Sequence, residues 1–168
     1  MTLLRHLLAI LLLPTVVVVL VPRWLIGSRL PVPAQLDASR AVAIASQVAG
    51  GIAMLVGAAL FAWCVALFAR VGKGTLAPWD PTRRLVAVGP YRHVRNPMIS
   101  GVAFVLLGES LMLRSPRLGL WLLLFLAINQ AWFLFVEEPG LERRFGDEYL
   151  RYRAAVPRWI PTLRATRS

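Results

Sequence analysis

Two polar clusters interrupt an otherwise apolar chain, and both have the makings of a ligand site. The first is Arg83-Arg84-Leu85-Val86 followed by Gly89-Pro90-Tyr91-Arg92-His93-Val94-Arg95-Asn96-Pro97; the second is Glu137-Glu138. Arginine and asparagine supply charged and neutral donors. Two adjacent carboxylates supply acceptors, but beside a low-dielectric region like charges repel and resist ionisation, so they want donors or a ligand. Pro97 suits the first position of a helix, which would leave backbone N–H groups directed at the preceding loop, a natural anion site. The ensemble offers donors for a carboxylate and acceptors for hydroxyls or an ammonium, which suits a zwitterionic small molecule. The plainer reading is that these charges pair at a helix mouth for anchoring and topology. There is no zinc-ligand spacing, serine triad, Walker loop or GxGxxG, so soluble-enzyme chemistries and a metal site find no support.

The elements that must position these clusters follow from composition. The chain has 168 residues, 58% hydrophobic and 16% charged. A domain this small cannot bury so much apolar surface, because its surface-to-volume ratio is too high. The excess faces lipid, and the fold class is an all-α integral membrane protein, one domain over 1–168. Four spans are expected, at about 3–21, 41–69, 98–113 and 118–136, against the roughly 20 residues a bilayer core requires. The first has one early positive, Arg5, and lacks a small-x-small cleavage site, so it reads as a retained helix rather than a signal peptide. The second is long enough that it must tilt, kink near Gly50-Gly51, or project from the bilayer. The third and fourth flank the short break Arg114-Ser115-Pro116-Arg117 and form an antiparallel hairpin. Counting outward from that turn at ~1.5 Å per residue sets Pro97 level with about Leu134. The Arg/Asn-rich loop end and the paired carboxylates thus become neighbours.

Beyond the last span, Leu141, Phe145, Tyr149, Tyr152 and Val156 recur at spacings of three and four among Glu, Asp and Arg. That is an amphipathic helix over 138–168, or a pair broken near Gly146, lying on the membrane or covering the span ends. Pro157 and Pro161 terminate it. The net charge is +11, from 19 Lys and Arg against 8 Asp and Glu. The basic residues lie between and after apolar runs, a juxtamembrane pattern and not a nucleic-acid footprint. Arg5, Arg70, Lys73, Arg83, Arg84, Arg92, Arg95, Arg143, Arg144, Arg151, Arg153, Arg158, Arg164 and Arg167 fall on one side. Arg23, Arg29, Arg40, Arg114 and Arg117 fall on the other. Both termini and the 70–97 loop are therefore expected to be cytoplasmic.

Other polar positions have ready structural readings. Glu109, inside the third span, is either functional or a snorkelling partner of Arg114. Asn129-Gln130 either bond between helices or line a substrate path. Gly101 and Gly108, seven apart, permit close helix packing. Cys64 reads as a packing residue, His93 as a solvated loop residue, and Trp79 and Trp159 as interface anchors.

The order and spacing of these motifs resemble the isoprenylcysteine carboxyl methyltransferase family, with phospholipid N-methyltransferases as more distant relatives. The residues that carry the resemblance are Gly89 to Gly101, then Glu137-Glu138, then Phe145-Gly146-Asp147-Glu148-Tyr149 and Val156-Pro157-Arg158, and it extends over about Gly74 to Pro161. It implies a multi-pass helical protein that uses S-adenosylmethionine, bound by the loop before the penultimate span, that span's start, and a Glu after the last span. Carried over residue by residue, cofactor contacts fall on Leu85, Val86, Tyr91, Asn96, Pro97, Met98 and Ile99, with Glu137 or Glu138. Arg92 and Arg95 are added on physical grounds as clamps for the cofactor's carboxylate. The sequence departs from the family pattern in three places. Asn96 stands where His is common, Ile99 where Tyr is common, and Phe133 near where eukaryotic prenylcysteine enzymes carry an Arg.

Methyl transfer from a sulfonium is an in-line displacement that needs alignment and desolvation more than strong acid or base. For an amine or thiol acceptor, Glu137 or Glu138 is the candidate base. The acceptor expected is a lipophilic small molecule or lipid arriving from the bilayer. A membrane reductase using NADPH is the alternative enzyme, with Arg83-Arg84 for the extra phosphate, and an accessory subunit binding neither cofactor is the non-enzymatic one. The topology has a direct check: cysteines introduced at Ser115 and at Thr166 are expected to react with an impermeant reagent from opposite sides of the membrane, and same-side labelling would overturn the four-span arrangement.

Overall fold

The computed structural model describes residues 14–33, 35–72 and 85–161. Most of the expected first span, Lys73, Trp79, Arg83, Arg84 and the tail after Pro161 lie outside the described residues. Within them every regular element is helical. A π-helical turn, Val16–Leu20, leads into α1 (Val21–Gly27). Then come α2 (Arg40–Leu67), α3 (Pro97–Met112), α4 (Pro116–Trp132), α5 (Glu138–Phe145) and α6 (Asp147–Ala155), with further π turns at Phe68–Gly72 and Phe133–Glu137 and a 3₁₀ turn at Gly89–Arg92.

Two continuous helices, Arg40–Val71 and Pro116–Phe145, are long and apolar enough to cross a membrane. Only 11% of the most apolar window of each is buried, so their apolar faces look outward and not into a protein core. The remaining apolar helices, Val16–Gly27 and Pro97–Met112, are shorter. The expected run 41–69 forms one helix without a break at Gly50-Gly51. The expected amphipathic C-terminal segment forms as a pair, α5 and α6, split at Gly146 with φ +51.

The structure divides into two compact units, one formed by the chain up to Ala59 with Gly101–Ala127, the other by Leu60–Ser100 with Ile128 onward. In the first, α2 and α3 run antiparallel with glycines in register. A Cβ on Gly50 would lie 2.6 Å from the Gly108 carbonyl oxygen, one on Gly108 2.6 Å from that of Gly50, and one on Gly57 2.5 Å from that of Gly101. Each helix brings two glycines seven residues apart to this contact, Gly50 and Gly57 on α2 and Gly101 and Gly108 on α3, and absent side chains let the backbones meet, as the spacing of Gly101 and Gly108 predicts.

The α3–α4 turn is a Schellman motif with an arginine in place of the usual glycine. Ser115 N–H reaches the Ser110 carbonyl at 2.9 Å and Arg114 N–H that of Leu111 at 3.1 Å, with Arg114 at φ +48. Left-handed backbone disfavours arginine, but here Arg114 is tied down: its carbonyl accepts Leu36 N–H at 2.9 Å and its Nε–H donates to the Leu36 carbonyl at 3.3 Å. It is therefore not the partner of Glu109, whose Oε2 is buried without a hydrogen bond among the described residues.

Arg117, the first basic residue of α4, is buried without a carboxylate. Its guanidinium donates to the carbonyls of Val32 (2.6 Å), Ser28 (2.7 Å), Leu25 (2.9 Å), Leu30 (3.1 Å) and Ile26 (3.3 Å). These include the orphan acceptors at the C-terminal end of α1, where a cation is favoured by the aligned peptide dipoles. Trp121 adds Nε1–H to the Val17 carbonyl at 3.0 Å. Ser115 is 1% exposed and Leu113 43%, so Leu113 is the residue from which this turn is best labelled.

The glycine seam yields a paired prediction. Gly57→Ala places its methyl against backbone atoms that cannot rotate away and is expected to destabilise by about 1–3 kcal/mol, the usual range for overpacking. Gly51→Ala meets nothing within 4 Å and is expected to gain up to about 1 kcal/mol from helix propensity. Unfolding of the two variants in detergent decides it; equal stability would mean the seam is not closely packed.

Candidate functional site

The second unit holds nearly all the described candidate residues. Its apolar heart is Cys64, Val86 and Tyr91, with Leu60, Leu67, Phe68 and Met98 packed against them. The loop that enters α3 is therefore anchored by side chains. Tyr91 is held at several points: its ring packs on Phe68, its hydroxyl bonds the Cys64 thiol, and its carbonyl accepts the Tyr152 hydroxyl at 2.8 Å. The 3₁₀ turn carrying it begins at Gly89, with φ +59 and a would-be Cβ 2.9 Å from Leu67 Cδ1. Only glycine accepts both that dihedral and that crowding.

Downstream of this turn the loop delivers Arg95. α3 starts at Pro97, as the proline predicts, and the Asn96 carbonyl accepts both the N–H and the hydroxyl of Ser100 at 3.0 Å. Arg95 Nη1 lies 2.9 Å from Glu138 Oε1, so the expected meeting of the Arg/Asn loop with the paired carboxylates is realised. A second guanidinium, which the sequence reading left without a role, joins it: Arg158 Nε is 2.8 Å from the same oxygen. Arg95, Arg158 and Glu138 side chains are only 13%, 19% and 11% exposed. Two cations share one anion, leaving a surplus positive charge in a poorly solvated place. Arg95 Nε–H is buried and has no acceptor among the described residues.

The two glutamates have different environments. Glu138 N–H bonds back to the Phe133 carbonyl across the π turn Phe133–Glu137, and its side chain is taken up by the arginines. Glu138 is thus enclosed and not open to solvent. Glu137 is half-buried and has no hydrogen bond among the described residues. Leu118–Val136 spans about 28 Å at 1.5 Å per residue, so Glu137 stands just beyond the crossing length. Burial first, and the neighbouring Glu138 carboxylate second, push its carboxyl from an ordinary 4.5 up to about 7. Tyr149, fully buried, is raised mainly by burial and by Glu138, while the Arg95 guanidinium against it pulls the other way.

Of the other candidates, Val86, Tyr91 and Pro97 are buried, and Leu85, Asn96, Met98 and Ile99 are half-buried around the start of α3. Arg92 is half-buried. With His93, Leu60, Trp63, Val94 and Pro97 it lines a mostly apolar cavity of about 480 Å³. Phe133 is 3% exposed and stacks on Trp159 with ring centroids 5.6 Å apart. Trp159 is more than an interface anchor, because its Nε1–H donates to Gln130 Oε1 at 2.8 Å. A polar residue in an apolar helix thus tethers the chain end. Arg158 and Trp159 were not placed in the site because the helix period stops before Pro157 and says nothing of where the chain goes after it.

The sequence pattern of the phospholipid methyltransferase family matches residues 46–148. That is the family of isoprenylcysteine carboxyl methyltransferase-like membrane methyltransferases, in agreement with the resemblance seen in the motifs. An uncharacterized protein of Haemophilus influenzae is 33% identical over 63 residues, which is 38% of this chain and all of that one. No solved structure matches the chain.

The raised Glu137 carboxyl has a measurable sign. Its neutral form is favoured by folding, so its contribution is present below about 4.5 and lost as pH rises through about 7. Thermal unfolding in detergent is expected to show the native protein losing stability relative to Glu137→Gln across that window. Parallel pH profiles would mean that the carboxylate is solvated.

Proposed function

Because the chain belongs to the phospholipid methyltransferase family, we propose that it transfers a methyl group from S-adenosylmethionine to a lipophilic acceptor at the cytoplasmic face of a membrane that it crosses four times, with both termini cytoplasmic. The observation that carries this reading is the Arg95–Glu138–Arg158 cluster, with its surplus positive charge and its buried Arg95 Nε–H awaiting an acceptor. A carboxylate-bearing zwitterion fits that environment, since a buried guanidinium needs acceptors for its donors and compensation for its charge.

The residues divide the work. Arg95, with Arg158 behind it, would hold the cofactor's carboxylate. Glu137 would accept hydrogen bonds from its hydroxyls or ammonium, and Asn96 through Ile99, at the start of α3, would border its remaining surface. Bound there, S-adenosylmethionine supplies an activated methyl on a sulfonium. The protein aligns the acceptor and keeps water away, which is the larger part of catalysis in such a displacement. For an amine or thiol acceptor, Glu137 is the better-suited proton acceptor, because the Glu138 oxygen is already committed to two guanidiniums.

The acceptor side is apolar. Phe133 lies where prenylcysteine enzymes carry an Arg, and its ring is sealed against Trp159. Burying an unpaired carboxylate against such a wall costs several kcal/mol, so we assign a neutral or weakly polar acceptor. The test is transfer of labelled methyl from S-adenosylmethionine to a lipid extract, with the product identified by mass, followed by kcat/KM for that acceptor and for a prenylcysteine. Labelled lipid with a preference for the uncharged acceptor is expected. No transfer, with NADPH bound instead, would overturn the reading, and a strong prenylcysteine preference would overturn the acceptor assignment.

A further inference from the structure

After α6 the chain does not leave the second unit. Val156 is 1% exposed, the Pro157 carbonyl accepts Arg95 N–H at 2.9 Å, Arg158 reaches Glu138, and Trp159 donates to Gln130 while stacking on Phe133. Four consecutive residues each make an attachment, and two of the four converge on Arg95, one through its backbone and one through the carboxylate it shares. This strap is held by directional polar bonds together with the buried Val156 and the Trp159 ring, while Ile160 at its end is 80% exposed. Such attachments are individually weak enough to open.

From the surplus charge and the orphaned Arg95 Nε–H we infer that the strap Val156–Ile160 is a clasp closed by the carboxylate of the ligand bound at Arg95. The inference rests on the cofactor reading above and deepens it. With the strap down, the cluster carries two guanidiniums against one carboxylate. A second carboxylate that accepts the Arg95 Nε–H makes the charges balance and removes the repulsion between Arg95 and Arg158 that opposes closure. Coupling of this kind is reciprocal: a ligand held more tightly by the closed strap must hold the strap closed by the same factor. Adenosine, ribose and sulfonium groups have no part in it. Only the carboxylate does.

S-adenosylmethionine and its decarboxylated analogue differ in that one group, and they make the test. Hydrogen exchange at the Arg95 amide, which donates to the Pro157 carbonyl of the strap, is measured on the full chain in detergent, with each ligand at saturation as verified by calorimetry. S-adenosylmethionine is expected to slow exchange at least tenfold, the effect of a charge-assisted bond of about 1.5–3 kcal/mol, and the decarboxylated analogue to leave it near the ligand-free rate. Arg158→Gln keeps the Arg95–Glu138 pair and hence a neutral cluster; in it the affinity ratio of the two ligands is expected to fall at least tenfold, with the circular dichroism spectrum unchanged. Equal protection by both ligands, or an unaltered ratio in Arg158→Gln, would overturn the clasp while leaving the cofactor reading intact. Failure of both ligands to bind would remove that reading, and the clasp with it.

Discussion

A single carboxylate oxygen organises the second unit. Glu138 Oε1 receives Arg95 from the loop before α3 and Arg158 from the strap after α6, while its backbone continues the helix that begins at Pro116. Three stretches distant in sequence are thereby fixed to one point. Removing that carboxylate would leave two desolvated guanidiniums facing each other, a far larger penalty than losing a surface ion pair. Tyr91, Tyr149 and Tyr152 complete the arrangement, with the Tyr152 hydroxyl on the Tyr91 carbonyl and the Tyr149 hydroxyl against Arg95.

The two units meet the same physical problem, a buried guanidinium, in opposite ways. Arg117 finds no anion and is satisfied entirely by carbonyl dipoles, several of them the unpaired acceptors of a helix end. That solution is closed: each donor has a partner and no further ligand is called for. Arg95 and Arg158 use an anion, but one anion for two cations, and a donor remains over. The first arrangement serves the fold. The second is incomplete in itself, and it is on that incompleteness that the proposed cofactor site rests.

Much of this was legible in the residues. Apolar runs gave the two long helices, Pro97 gave the start of α3, and counting along the hairpin brought Arg95 to the paired glutamates. Gly101 and Gly108, seven apart, announced a close approach of α3 to another helix without saying which. What escaped has physical causes. The break Arg114-Ser115-Pro116 hid a Schellman turn because arginine is seldom found left-handed, and only the tether to Leu36 makes it tolerable. Arg117 counted as a marker of sidedness because burial of a charge cannot be read without knowing its partners. The strap lies beyond the last helical repeat, where periodicity says nothing, and its role depends on contacts made at long range.

The π turn at Phe133–Glu137 has one more consequence. A π turn takes up one extra residue without advancing the helix by a further position. Everything after it is therefore shifted by one place in sequence relative to an uninterrupted α-helix. Had the backbone stayed regular, the direction now taken by Glu138 would belong to Glu137. The two residues are chemically identical neighbours, yet one is locked between arginines and the other is left with an easily protonated carboxyl. Their difference is thus a matter of helical phase: a one-residue slip in the main chain, and no difference in side chain, decides which glutamate the arginines enclose and which they leave.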